Sequence, residues 1–120
     1  MENQLNVLGT PLQLCCANTG YTRKGFCYVP EIDFGNHSVC AIMTDEFLQF
    51  SKSQGNDLIR PNPMNDFAGL KAGDKWCLCA IRWYQSISAD VAPPIVLEAT
   101  NEKALKIISL AVLKEYQYKG

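Results

Sequence analysis

Gly69-Leu-Lys-Ala-Gly-Asp-Lys-Trp-Cys-Leu-Cys-Ala-Ile-Arg-Trp83 places two tryptophans, two cysteines and an arginine within residues 76–83, directly behind a turn. Ala72-Gly73-Asp74 is turn chemistry, since glycine reaches positive φ without a Cβ clash and aspartate bonds nearby backbone N–H groups. Cys77 to Trp83 reads as a strand. Alternate side chains then share a face: Cys77, Cys79, Ile81 and Trp83 on one, Trp76, Leu78, Ala80 and Arg82 on the other. Both faces are mostly apolar, which suits a central strand covered on both sides. Same-face neighbours on a strand lie roughly 6.5–7 Å apart, the outer limit for a disulfide. Cys77 and Cys79 therefore read as two thiols turned into the core, not as a bridge to one another.

Working outward, the chain has 120 residues, 48% of them apolar, and a formal net charge of −1. That length supports one domain, residues 1–120, with a single core. No basic run or basic helix face suggests nucleic acid. No apolar run approaches the roughly 18–20 residues of a membrane span, and the start lacks the pattern of a signal peptide. The expectation is a cytoplasmic protein. Six cysteines, Cys15, Cys16, Cys27, Cys40, Cys77 and Cys79, make it cysteine-rich. In a reducing cytoplasm they should be free, metal-bound or catalytic, whereas export would reverse that inference toward disulfides.

Upstream, Val7-Leu8 and Leu12 to Cys15 read as one bent edge strand. Residues 17–38 are irregular, with glycines and prolines interleaved with Tyr21, Phe26, Tyr28 and Phe34; so long a stretch without periodicity is often functional, although its aromatics could instead pin the loop to the core. Val39 to Met43 is a short apolar strand. Thr44 caps a helix running to about Gln54, with Asp45 and Glu46 in its first turn and Gly55 beyond its end. Downstream, Tyr84 to Ala89 suggests a short helix, Pro93-Pro94 a stop, and Ile95 to Ala99 a β-branched strand. Thr100 is expected to cap a short helix through Leu105, and Ser109 a final helix to about Tyr118.

No complete catalytic constellation is present: the chain has no Gly-x-Ser-x-Gly elbow, phosphate loop or dinucleotide fingerprint. Cys77, Cys79 and the single histidine, His37, are the catalytic candidates, because a thiolate needs a base within hydrogen-bond reach. Arg23, Asp33, His37, Asn56, Asp57, Trp76, Arg82 and Trp83 are the ligand-binding candidates; an arginine beside a tryptophan can grip an anion against an aromatic wall. Most of these have an ordinary structural role as well: turn, cap or core. Cys-Cys and Cys-x-Cys spacings fit structural zinc poorly, so no metal or other cofactor is assigned.

Read together, Asn6-Val-Leu-Gly9, Pro11-Leu12, Thr19-Gly20, Arg23, Gly25, Asp33-x-Gly35-x-His37-x-Val39-Cys40, Thr44-Asp-Glu-Phe-Leu48 and Gly55-Asn-Asp-Leu58 form one ordered set. Gly69-Leu70, Gly73-Asp74, Trp76-Cys-Leu-Cys-Ala80, Arg82-Trp83, Ala92-Pro93, Val96-Leu97 and Ala99-Thr100 continue it. The set closely resembles the mainly bacterial family catalogued as domain of unknown function twenty-two thirty-seven. The resemblance spans nearly the whole chain and implies a compact two-layer α+β domain; it implies no known activity. The chain departs from that pattern at Asn101, where the family usually has histidine, at Ala68, where proline is common, and in a shortened turn between Cys16 and Thr19.

The expected architecture is thus α+β: a two-layer sandwich in which a short mixed or antiparallel sheet, Val39–Met43, Cys77–Trp83 and Ile95–Ala99, packs on the helices. The expected function is a non-catalytic binding or assembly domain with a small-molecule or protein partner, and neither nucleic acid nor membrane. The alternative is a thiol-dependent redox or transfer enzyme using Cys77/Cys79 or Cys16/Cys40. A cysteine metal site is the weaker alternative.

Overall fold

The computed structural model describes residues 4–16, 19, 25–65 and 67–119. It is an α+β fold: a two-stranded antiparallel sheet, three α-helices and short 3-10 turns. Strand β1 (Val39–Ile42) pairs with β2 (Lys75–Leu78), setting Val39 opposite Leu78, Cys40 opposite Cys77 and Ala41 opposite Trp76. Helix α1 spans Asp45–Ser53, α2 Ala80–Ser88 and α3 Leu110–Glu115.

Alternation along the two strands creates two interiors. Val39, Ala41 and Leu78 pack into the larger core with Met43, Phe47, Leu48, Trp83, Ile95, Leu97, Ile108 and Leu113. Cys40 and Cys77 point the other way, into a smaller core with Cys15, Cys27 and Ala99, with Val96 packed against it. The expectation of a strand covered on both sides holds for Cys77 and Leu78. The strand does not continue to Trp83, because Ala80, Trp83 and Ser86 recur at helical spacing and are the buried face of α2. Ile81 and Tyr84 are correspondingly exposed. The helix expected from Tyr84 thus starts four residues earlier in the chain, at Ala80.

The expected third strand, Ile95–Ala99, is not formed. Ile95 makes isolated bridges to Ala41 and Gln117, while Leu97–Ala99 closes a 3-10 turn. Proline at 93 and 94 removes ladder donors; what remains are the bonds Ile42 N–H to Pro94 O (2.9 Å) and Val96 N–H to Cys40 O (2.8 Å). The expected N-terminal edge strand over Val7-Leu8 and Leu12 to Cys15 is likewise not formed; beside it are isolated bridges, Leu5 with Pro11 and Asn6 with Asn101.

Local signals in the middle of the chain are realised directly. Thr44 Oγ1 accepts from Phe47 N–H at 3.1 Å, and Gly55, past the end of α1, has φ +89°. In the turn before β2, Gly73 takes φ +94° and Asp74 Oδ2 accepts from Lys71 N–H at 3.0 Å. Ser109 accepts from Val112 N–H at the start of α3, which ends at Glu115 rather than near Tyr118. The short turn after Ala99 is capped by Asn101 instead of Thr100: Asn101 Oδ1 accepts from Lys103 N–H at 2.9 Å. The Thr100 hydroxyl is engaged elsewhere, donating to Val96 O at 2.8 Å and accepting from Cys40 N–H at 3.2 Å.

Candidate functional site

The sheet's second face is a sulfur cluster. Cys15 is bonded to Cys40 with Cα atoms 5.8 Å apart, and Cys27 to Cys77 with Cα atoms 5.4 Å apart. All four residues are buried. The sulfurs of Cys15, Cys27 and Cys77 lie within 4.8 Å of one another. This corrects the expectation of free thiols at Cys77 and Cys40, and the Cys77/Cys79 and Cys16/Cys40 thiol pairings with it. The reason is tertiary: β1 and β2 bring Cys40 and Cys77 side by side, and the N-terminal loop returns Cys15 and Cys27 over them. Cys15 N–H donates to Gly25 O at 2.7 Å, which ties the two loop segments together. Threonine hydroxyls meet the strand amides beneath, Thr19 Oγ1 accepting from Cys77 N–H at 2.9 Å.

Cys16 and Cys79 are the unbonded cysteines among the described residues. The Cys16 thiol donates to Lys75 O at 2.7 Å. Burial pushes its pKa up, and the negative charge of Asp74 adds to that shift. Cys79 immediately precedes α2 and caps it with no side-chain bond.

The loop before β1 is held by its own aspartate. Asp33, buried, accepts from His37 N–H through Oδ2 at 2.9 Å, and its Oδ1 lies 2.7 Å from His37 Nδ1. Asn36 adopts φ +51°, a left-handed turn that asparagine tolerates better than most residues. Its carbonyl accepts from Ala80 N–H at 2.9 Å, docking the loop on the start of α2. His37 and Cys79 are thereby brought to the same end of α2. The flanking apolar residues do not join the core: Phe34 is 94% and Ile32 65% exposed. Phe26 and Tyr28, upstream, pack on each other with ring centroids 5.1 Å apart.

The other candidates are dispersed. Asn56 and Asp57 form the turn after α1: Ser51 Oγ–H donates to Asn56 O at 2.7 Å, and Asp57 Oδ1 accepts from Ile59 and Arg60 N–H. Those bonds, that of Arg60 first, hold the Asp57 carboxyl below the usual carboxylate range. Arg82 reaches across to Gln54 O at 3.4 Å, beside a shallow groove between α1 and α2. Trp83 is core: its indole N–H donates to Pro93 O at 3.0 Å, and its ring meets Tyr116 edge-on. Trp76 is partly buried and packs on Phe67. Arg23 lies outside the described residues.

Two buried amides escaped the sequence reading. Asn6 donates to Thr10 Oγ1, Pro11 O and Glu98 O and accepts from Leu8 and Thr10 N–H. Asn101 donates to Gln4 Oε1 and Cys27 O. Each side chain knots distant segments together, and the departure at Asn101 from the family's histidine is filled here by a structural amide. Their signal in the sequence is faint, because asparagine normally marks turns.

These features define a class: a small α+β domain whose N-terminal loop is bonded through two disulfides to a central strand pair. The chain belongs to the family described as "Uncharacterized protein conserved in bacteria (DUF2237)", which matches residues 5–117. No curated protein matches it.

Proposed function

We propose that the chain is a non-catalytic binding domain that engages a protein partner through the loop 30–37, with Ile32 and Phe34 as its apolar contacts. The proposal takes residues 1–120 as one functional domain. It is carried by one observation: Phe34 and Ile32 stand in solvent while Asp33, between them, is buried and bonded to His37. A loop that collapsed freely would hide a phenylalanine. This one is held by Asp33, Asn36 and Ala80, so the exposure is imposed by its backbone. Small ligands favour concave sites that bury most of their surface. Protruding aromatic and aliphatic side chains instead fit a pocket on another protein, where such anchors supply much of the affinity. No described helix is long and apolar enough to cross a membrane.

Photo-crosslinking tests this. A benzoylphenylalanine at position 34, in cells that express the protein natively, should yield one discrete adduct. Ile32→Ser should remove that adduct while leaving thermal stability unchanged. An adduct indifferent to Ile32→Ser, or turnover of a metabolite by the purified domain, contradicts the reading.

The thiol-dependent alternative is now confined to Cys79 and Cys16. It is favoured by the position of Cys79, beside the Asn36–Ala80 hydrogen bond and at the same end of α2 as His37. Alkylation of Cys79 faster than a model thiol would support it. Location depends on the sulfur chemistry. The disulfide-bonded form suits an oxidising compartment, where such bonds persist; a cytoplasmic protein would hold the same four cysteines reduced.

A further inference from the structure

We propose that Cys15, Cys27, Cys40 and Cys77, when reduced, form a closed tetrathiolate site for one zinc ion. The donors are already gathered. Three of the four sulfurs lie within 4.8 Å of one another, and the fourth, on Cys40, is bonded to Cys15 and stands opposite Cys77 in the strand register. Zinc–thiolate bonds of about 2.3 Å set the edges of a tetrahedral site at roughly 3.8 Å. Reduction frees each bonded pair to part to that spacing; the Cys15 sulfur then has to close from within 4.8 Å on those of Cys27 and Cys77, and Cys40 has to swing in from its place opposite Cys77.

Two further features favour a metal. The backbone at the donors is hydrogen-bonded: Cys40 and Cys77 are on paired strands, and Cys15 N–H donates to Gly25 O, two residues before Cys27. Ala99 and Val96 pack against the sulfurs, and the neighbouring hydroxyls of Thr19 and Thr100 are engaged with the Cys77 and Cys40 amides, so the donor set is all sulfur. Soft thiolates select zinc over hard cations, and four protein ligands leave no open position, which makes the site structural. The same four residues would then brace the N-terminal loop in either redox environment, through two disulfides where it is oxidising and through one metal ion where it is reducing.

The interconversion balances. Two molecules of a dithiol reductant each deliver two electrons and two protons to one disulfide and end as disulfides themselves. The four resulting thiols release four protons as zinc binds. Cys16 takes no part, its thiol being turned to Lys75 O.

The test uses the full chain, fully reduced and kept anaerobic, titrated with cobalt(II) as a spectroscopic probe and then with zinc. The expected result is one cobalt per chain, with the ligand-field bands of a tetrahedral ion and a thiolate charge-transfer band, both displaced by zinc. The Cys16→Ser/Cys79→Ser double variant should behave identically, and Cys27→Ser should lose the charge-transfer intensity. If the reduced apoprotein unfolds, the same end-point should be reached with recovery of the far-ultraviolet circular dichroism. The proposal is overturned if reduced wild type takes up no stoichiometric metal. It is equally overturned if uptake lacks thiolate bands, or is lost in the double variant while surviving in Cys27→Ser.

Discussion

Cys40 and Cys77 face each other across β1 and β2, yet each is bonded to a different loop cysteine, Cys40 to Cys15 and Cys77 to Cys27. One strand pair therefore anchors two points of the irregular N-terminal region. The larger core lies on the opposite side of the sheet and contains no sulfur–sulfur bond among its members.

The disulfides should contribute unequally to stability. They join residues separated by 25 and 50 positions, which on a chain-entropy argument corresponds to about 3.5 and about 4 kcal/mol. Cys27→Ala/Cys77→Ala should thus lower the denaturant midpoint at least as much as Cys15→Ala/Cys40→Ala, measured without reductant and with metal chelated. A smaller loss for the 27–77 pair would contradict the ordering.

Trp83 anchors the larger core. Trp83→Phe removes the bond to Pro93 O and part of the edge-on packing with Tyr116, and should cost about 1–3 kcal/mol. Trp83→Ala should cost about 3–5 kcal/mol. Urea unfolding of both variants checks the order. If Trp83 lined a ligand pocket instead, Trp83→Phe would leave stability almost unchanged.

At the start of α1, Thr44→Ala removes the acceptor for Phe47 N–H and should cost about 1 kcal/mol. Thr44→Ser should recover most of it. Equal losses in the two variants would mean that the hydroxyl bond is not the source of the effect.

Cys16 should alkylate more slowly than a model thiol at neutral pH, because burial and the charge of Asp74 favour its protonated form. Its rate should keep rising at pH values where a free cysteine has levelled off. Asp74→Asn should move that profile toward lower pH. A Cys16 rate matching that of the free thiol would show that its surroundings do not act in this way.

Much of the middle of the chain was legible because its signals are local. Thr44, Gly55, Gly73 and Asp74 each act through neighbours a few residues away, and Val39 to Ile42 is apolar in one unbroken run. What failed depends on distant partners. Ala80 to Trp83 fits both the alternation of a strand and the three-residue spacing of a helix, and only burial of Trp83 beneath Pro93 and Tyr116 decides between them. Ile95 has strand-like side chains, but Pro93 and Pro94 leave it isolated bridges in place of a ladder. The sulfur pairing was hidden most deeply, since Cys15 and Cys27 approach Cys40 and Cys77 only once the loop has folded back. Among the candidate residues, Asp33 and His37 meet, a contact that no local signal in the sequence specifies, whereas Asn56, Asp57, Arg82 and Trp83 serve a turn, an interhelical bond and the core.

Peptide mapping of the oxidised, non-reduced protein, with free thiols blocked before digestion, tests the central claim most directly. The account predicts Cys15 linked to Cys40 and Cys27 linked to Cys77, with Cys16 and Cys79 carrying the blocking group. A bridge from Cys16 or Cys79 to any of the other four, or the pairing of Cys40 with Cys77 across the strands, would contradict it.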